Sequence, residues 1–326
     1  MELPGLFDLQ VNGFGGVDFN APSLPAERCL HALERMRATG VTRCLPTLIT
    51  STFEQFAANA RVLARLTDAS VAGLHMEGPY LSPEDGARGA HPREHVIVAS
   101  IDDFRRRQDA ADGRIALVTL APEVPGAIAL IDHLAASGIR VAIGHTAAST
   151  EQIRDAITAG ATLATHLGNG CAAMLPRHPN PIWELLAADE ITATLIVDGH
   201  HLPPATVKAM ARAKGGAQTI LITDAMAAAG WTPSTADRRI TIGALECVVG
   251  TDGRVSLPGT PYLAGSSLTL DRAIGNMVRF SGLSLDEVIP MASTIPAAFL
   301  GTTTRGTITC DWDAAACELH VRAVHV

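Results

Sequence analysis

Eight short runs of aliphatic and β-branched residues, each closing on glycine or polar side chains, recur at 6–13, 41–50, 71–78, 115–121, 140–146, 163–169, 193–199 and 219–225. Runs of this length and composition read as buried strands. Between most of them lie alanine-rich amphipathic segments, at 26–39, 53–66, 125–137, 150–158 and 203–213, which read as helices. A parallel strand needs a crossover before its neighbour, so this alternation is the rhythm of βα units. Eight units close into an α/β (β/α)8 TIM-type barrel, with a doubly wound open sheet as the alternative arrangement of the same parts.

The chain's 326 residues suit one large barrel with an appendage, and its 47% hydrophobic but 4% aromatic content predicts a core of small aliphatic side chains. Residues 1–305 are read as the barrel. They include a β-hairpin insertion after strand eight at 227–263, where 239–257 alternates in places and carries the turn pair Asp252-Gly253. Helical patterns resume at 267–280 and 285–293, and residues 306–326 form a C-terminal segment whose end, 319–326, alternates like a strand. A formal charge of -8 gives no long-range attraction for phosphate backbones or anionic lipid, which argues against nucleic-acid and membrane partners. Six scattered cysteines without a CxxC pair predict free thiols in a reducing compartment. No basic-then-apolar leader pattern opens the sequence and no apolar run reaches membrane-spanning length, so the expected location is cytoplasmic.

Barrel enzymes place their chemistry at the C-terminal ends of strands, and this chain concentrates polar residues there. The runs end in Asp8-Leu-Gln10-Val-Asn12, His75-Met-Glu77-Gly, Gly-His145-Thr, Thr-His166-Leu-Gly-Asn169 and Thr-Asp224-Ala. Period-two alternation puts Gln10 with Asn12, and His75 with Glu77, on one face. Glu77, His145 and His166, a carboxylate and two imidazoles from three strand ends, form a set that can hold one divalent ion with a position left for water. Asp224, on a further strand, is suited to take a proton from that water and return it to a leaving group.

At these residues the chain resembles the N-acetylglucosamine-6-phosphate deacetylases of the amidohydrolase superfamily. The likeness runs through Phe7-Asp-Leu-Gln-Val-Asn-Gly13, Leu74-His-Met-Glu-Gly-Pro-Tyr80, Gly89-Ala-His-Pro92, Gly144-His-Thr146, Thr165-His166, Val197-Asp-Gly-His-His201, Thr223-Asp-Ala-Met226 and Leu263-Ala-Gly-Ser-Ser-Leu268. The resemblance implies hydrolysis of the N-acetyl group of an amino sugar, with N-acetylglucosamine 6-phosphate the favoured substrate. It implies Glu77, His145 and His166 as metal ligands, Asp224 as acid/base, and His91 on the substrate carbonyl. Asn169, Gly170, Arg177, His201, Gln10 and Asn12 are then the substrate-binding residues. Gln10 and Asn12 stand where many amidohydrolases carry a His-x-His pair, which implies a single metal, zinc by preference, although Fe, Co, Ni and Mn suit the same donors. In the family the residue matching Arg177 reaches in from a neighbouring subunit, so a homodimer is implied.

The loop after strand six departs from the family pattern, and the chain starts almost at strand one. The small β-sandwich of the family is therefore expected to be reduced or missing. An amidohydrolase acting on another N-acyl or cyclic amide, and a non-catalytic metal-binding barrel, are the two rival readings.

Overall fold

The computed structural model describes residues 1–231, 238–260 and 262–326. Each apolar run contains a strand: β1 (Leu6–Val11), β2 (Val41–Ile49), β3 (Leu74–Glu77), β4 (Ile115–Leu120), β5 (Arg140–Ile143), β6 (Leu163–Ala164), β7 (Thr192–Ile196) and β8 (Thr219–Ile222). They make one eight-stranded sheet, with neighbours in chain order throughout. A helix follows each strand in turn: α1 (Ala26–Arg37), α2 (Phe53–Ala64), α3 (Ile101–Ala110), α4 (Ala127–Ala136), α5 (Thr150–Thr158), α6 (Pro181–Ala187), α7 (Pro204–Lys214) and α8 (Leu270–Ser281). Eight βα units with strands in chain order are the (β/α)8 fold that the alternation predicts.

The chain divides into two compact units, the first built from residues 1–47, 66–72 and 195–326. There β1 pairs parallel with β2, Leu6 facing Val41 and Asp8 facing Cys44, and Val11 bridges to Ala225 just past β8. All six residues of β1 are buried, polar ones included, because both faces of a parallel barrel strand are covered. Helix α8 buries Leu270, Ala273, Ile274 and Met277. At Gly275 a Cβ would stand 2.1 Å from the Cys317 carbonyl oxygen, so only glycine lets the C-terminal turn lie against this helix.

Residues 306–326 form two strands: Thr307–Asp313 pairs antiparallel with Glu318–His325. Asp313 Oδ1 makes the turn between them by accepting from the Ala315 and Ala316 amides at 2.9 and 3.0 Å. Glu2–Pro4 adds a third strand against Thr307–Thr309. The insertion has two hairpins where one was expected. Arg239–Ile242 pairs with Leu245–Val249 around Gly243, whose φ is +56°, and Asp252-Gly253 then turns the chain into Val255–Ser256. Residues 232–237 and 261 of the expected insertion lie outside the described residues. The helix read at 285–293 is α-helical only over Leu285–Val288, then continues as a 3-10 turn, Ile289–Ala292, where Pro290 has no N–H to donate.

The second unit holds residues 48–65 and 73–194. Its strands run parallel in register, Glu77 beside Thr119, Thr119 beside Ala142, and Ala142 beside Leu163. The helices start where their caps dictate. Ser149 and Gln152 form a reciprocal capping box for α5, and Asn180 accepts from the Ile182 and Trp183 amides ahead of Pro181 in α6. The six cysteines are free thiols. Among the described residues no helix is long and apolar enough to cross a membrane.

Candidate metal centre and acid/base carboxylate

Glu77 ends β3, His145 follows β5 and His166 follows β6, and all three side chains are buried. His145 Nε2 and His166 Nε2 lie 3.2 and 3.0 Å from Glu77 Oε1 and 3.1 Å from each other. Three mutual contacts of this length cannot all be hydrogen bonds, since each Nε2 carries at most one hydrogen and a carboxylate oxygen only accepts. A tetrahedral ion bound at about 2.0–2.1 Å separates its ligand atoms by about 3.3 Å, so the triangle fits a zinc-sized cation. Burial alone would raise the Glu77 pKa. The hydrogen bonds and charge of His145 and His166 outweigh it and hold the carboxyl well below its ordinary value.

The surroundings fix the ring of His145. Its Nδ1 lies 3.0 Å from the Ala87 carbonyl, which can only accept, so Nδ1 is a donor there and Nε2 is the nitrogen left to bind a cation. Gly170, at φ +56°, backs the same ring; a Cβ there would stand 2.8 Å from Nδ1. Glu123, in the loop after β4, accepts from Thr146 Oγ1 at 2.5 Å and from the Ala147 amide at 2.6 Å, clamping the turn that follows His145.

His91 Nε2 sits 3.2 Å from His145 Nε2, and its Nδ1 is 2.9 Å from Thr50 Oγ1. Burial, reinforced by the charge of His145, pushes the His91 pKa down to about 3, so the ring is neutral near pH 7. Asn169 Nδ2 donates to the His166 carbonyl at 3.2 Å, and with Gly170, Cys171, Ile182 and Leu185 it lines a cleft beside His145. Burial raises the Cys171 pKa, which suits packing and not nucleophilic attack. Arg177 is exposed in the loop between β6 and α6, where its carbonyl accepts from Asn180 Nδ2 at 3.5 Å.

In the first unit, Gln10 Nε2 and Asn12 Nδ2 both donate to Asp224 Oδ1, at 3.1 and 2.7 Å. The residues that stand at the His-x-His positions thus meet the expected acid/base carboxylate. His201 Nδ1 lies 2.7 Å from Asp198 Oδ2, while Asp198 Oδ1 accepts from the His200 and His201 amides, each at 2.8 Å. Burial would raise the Asp198 pKa, but the bond from His201 and its charge lower it overall. Five non-glycine residues among those described have positive φ, and three of them are His145, His166 and Asp224. Such conformations cost about 1–3 kcal/mol each and persist where the surroundings enforce them, as they do at functional sites.

The expected ligands and His91, Asn169 and Gly170 therefore come together in the second unit, and Gln10, Asn12 and Asp224 come together in the first. Sequence reading assigned no role to Thr50, Glu123, Asp8 or Asp198. The one signal available for Thr50, Glu123 and Asp198 was a polar residue at or just past a strand end, and for Asp8 an acid inside an apolar run.

Residues 1–319 match the amidohydrolase family over nearly the whole chain. The chain belongs to that family. It is 33% identical over 320 residues to an N-acetylglucosamine-6-phosphate deacetylase of Lysinibacillus sphaericus, covering 96% of this chain and 80% of that one. It is 34% identical over 305 residues to an N-acetylgalactosamine-6-phosphate deacetylase of Escherichia coli O157:H7, covering 91% and 78%. Among solved structures, a mutant N-acetyl-D-glucosamine-6-phosphate deacetylase from Mycobacterium smegmatis, in complex with N-acetyl-D-glucosamine-6-phosphate, matches with a TM-score of 0.89 at 31% identity, covering 98% of this chain and 85% of that one.

Proposed function

We propose that this amidohydrolase removes the N-acetyl group of an amino-sugar 6-phosphate, converting N-acetylglucosamine 6-phosphate to glucosamine 6-phosphate and acetate. The observation that carries the reading is the buried Glu77–His145–His166 triangle, an ion-sized donor set in a chain whose relatives are named for this reaction. Zinc is the metal we assign to it. When bound there, such a cation supplies the Lewis acidity that makes water nucleophilic near neutral pH and polarises an acyl oxygen.

The chain's own residues do the rest. In the tautomer with its proton on Nε2, neutral His91 donates to the acyl oxygen as negative charge develops there, its ring held by the 2.9 Å contact between Nδ1 and Thr50 Oγ1. Asp224 takes the proton released as the water oxygen bonds to the acyl carbon, then hands it to the nitrogen as the C–N bond breaks. Gln10 and Asn12 hold that carboxylate in one orientation. Asn169 and the Gly170 backbone contact the sugar, while Arg177 and His201 bind the phosphate, with Arg177 supplied by the second subunit of a cytoplasmic homodimer. A net charge of -8 offers the anionic substrate no general attraction, so its recognition has to be local.

Acetate release from N-acetylglucosamine with and without its 6-phosphate, by protein of known metal content, tests the proposal. We expect one metal equivalent and a strong preference for the phosphorylated sugar. Equal turnover of both sugars would overturn the phosphate assignment. Full metal loading without acetate release from either would overturn the deacetylase assignment.

A further inference from the structure

Asp8 is a charged residue with 1% exposure inside β1, and the proposed reaction gives it no part. Its Oδ2 accepts from Thr223 Oγ1 at 2.6 Å, and its Oδ1 accepts from the Thr223 and Gln10 amides at 3.2 and 3.3 Å. Those partners are significant. Thr223 precedes Asp224 in the chain, and Gln10 carries one of the two amides that grip the Asp224 carboxylate. One buried side chain therefore ties the backbone leading into Asp224 to the strand that orients its oxygen.

The other side of Asp224 is tied as well. Ser266 Oγ donates to the Thr223 carbonyl at 2.5 Å, and its amide donates to the Asp224 carbonyl at 2.9 Å. The same hydroxyl accepts from the Leu268 amide at 3.1 Å, so its own direction is fixed. Between these ties Asp224 adopts φ +48°, a conformation that a free aspartate rarely takes. A buried carboxylate is costly in a core where an apolar residue would fit, and the three hydrogen bonds that offset the cost here come from Thr223 and Gln10, the residue before Asp224 and one that holds its carboxylate.

We propose that Asp8 and Ser266 are positioning residues for Asp224, setting the backbone turn and the carboxylate orientation that proton transfer requires. The inference rests on the acid/base role proposed for Asp224 above. Orientation matters to the reacting state more than to ground-state binding, so the effect should fall on kcat.

The test measures kcat, KM, metal content and thermal midpoint for Asp8→Ala, Asp8→Asn, Thr223→Val, Ser266→Ala and, as reference, Asp224→Asn. We expect Asp8→Ala to lose kcat at least twentyfold, with KM within twofold of wild type and full metal content. Asp8→Asn should recover most of the loss, because its Oδ1 can accept from both backbone amides while its Nδ2 meets the Thr223 hydroxyl. Thr223→Val keeps the shape of the residue and removes the 2.6 Å bond to Asp8, along with the 3.1 Å bond that the hydroxyl accepts from the Ala225 amide and its 3.4 Å contact with the Gln10 carbonyl. It covers the case in which Asp8→Ala does not fold, and it should lower kcat three- to tenfold, as should Ser266→Ala. Wild-type kcat in Asp8→Ala or in folded Thr223→Val, set against a large loss in Asp224→Asn, would overturn the positioning role alone. So would equal loss in Asp8→Ala and Asp8→Asn. Wild-type turnover in metal-loaded Asp224→Asn would overturn the acid/base assignment and this inference with it.

Discussion

Asp8 also makes a pH prediction that needs no substrate. Burial pushes its pKa from 3.8 up to about 7, against the opposing bonds from Thr223 and Gln10. Below about pH 4 the carboxyl is protonated in both folded and unfolded chains and contributes no pH dependence. Between about 4 and 7 the unfolded chain ionises first, so the native state binds more protons and stability falls as pH rises; above about 7 both forms are ionised and the penalty is constant. Asp8→Asn lacks this term. Its stability relative to wild type, measured by urea unfolding at pH 5 and pH 8, should shift in favour of the variant at the higher pH. A difference that is the same at both values would mean that Asp8 is already ionised in the folded chain at pH 5.

At the scale of the element, the turn after β5 shows how a loop holds His145, a proposed metal ligand. His145 has φ +50°, and its turn is latched by Glu123 on one side and on the other by the Thr146 amide bonding the Gly170 carbonyl at 3.2 Å. Glu123→Ala should weaken metal affinity about tenfold to a hundredfold, while Glu123→Gln, which can still accept from Ala147 and meet Thr146, should stay near wild type; competition with a chromophoric chelator reads both. The strand ends themselves were legible in the sequence because parallel strands are continuous apolar runs that stop where function begins. Their lengths were not. β6 stops at Ala164, yet the Thr165 amide still bonds the Ile143 carbonyl at 2.9 Å, and the chain turns at His166, whose φ is +31° and whose amide bonds Thr194 Oγ1 at 2.7 Å. Helix α3 was not among the segments read as helices, as it is dominated by charged residues and its buried set includes Arg107, paired at 2.7 Å with Asp103 and set over the Phe56 ring. A buried arginine in a charged segment looks like surface until its partner is known. The same limit hid the grip of Gln10 and Asn12 on Asp224, which depends on residues more than two hundred positions apart meeting across β1 and β8.

For the molecule as a whole, the proposed metal would be a folding ligand as well as a reagent. Without it, the second unit keeps a buried carboxylate and two imidazoles whose three close contacts cannot all be hydrogen bonds. A cation that binds only the folded chain adds RT ln(1 + [M]/Kd), about 2.7 kcal/mol at a free concentration one hundred times Kd. For a chain of 326 residues unfolding with about 2.1 cal/mol/K of entropy per residue, that corresponds to about 4 °C in the thermal midpoint, and to more if the second unit melts separately. Chelation should therefore lower the midpoint by several degrees, and one equivalent of zinc should restore it. The dependence should weaken in acid, because protons compete with the cation for both imidazoles. His145→Ala removes one donor of the triangle, so its midpoint should respond little to chelator or zinc. A midpoint in the variant that still shifts as in wild type would place the stabilising metal somewhere other than Glu77, His145 and His166.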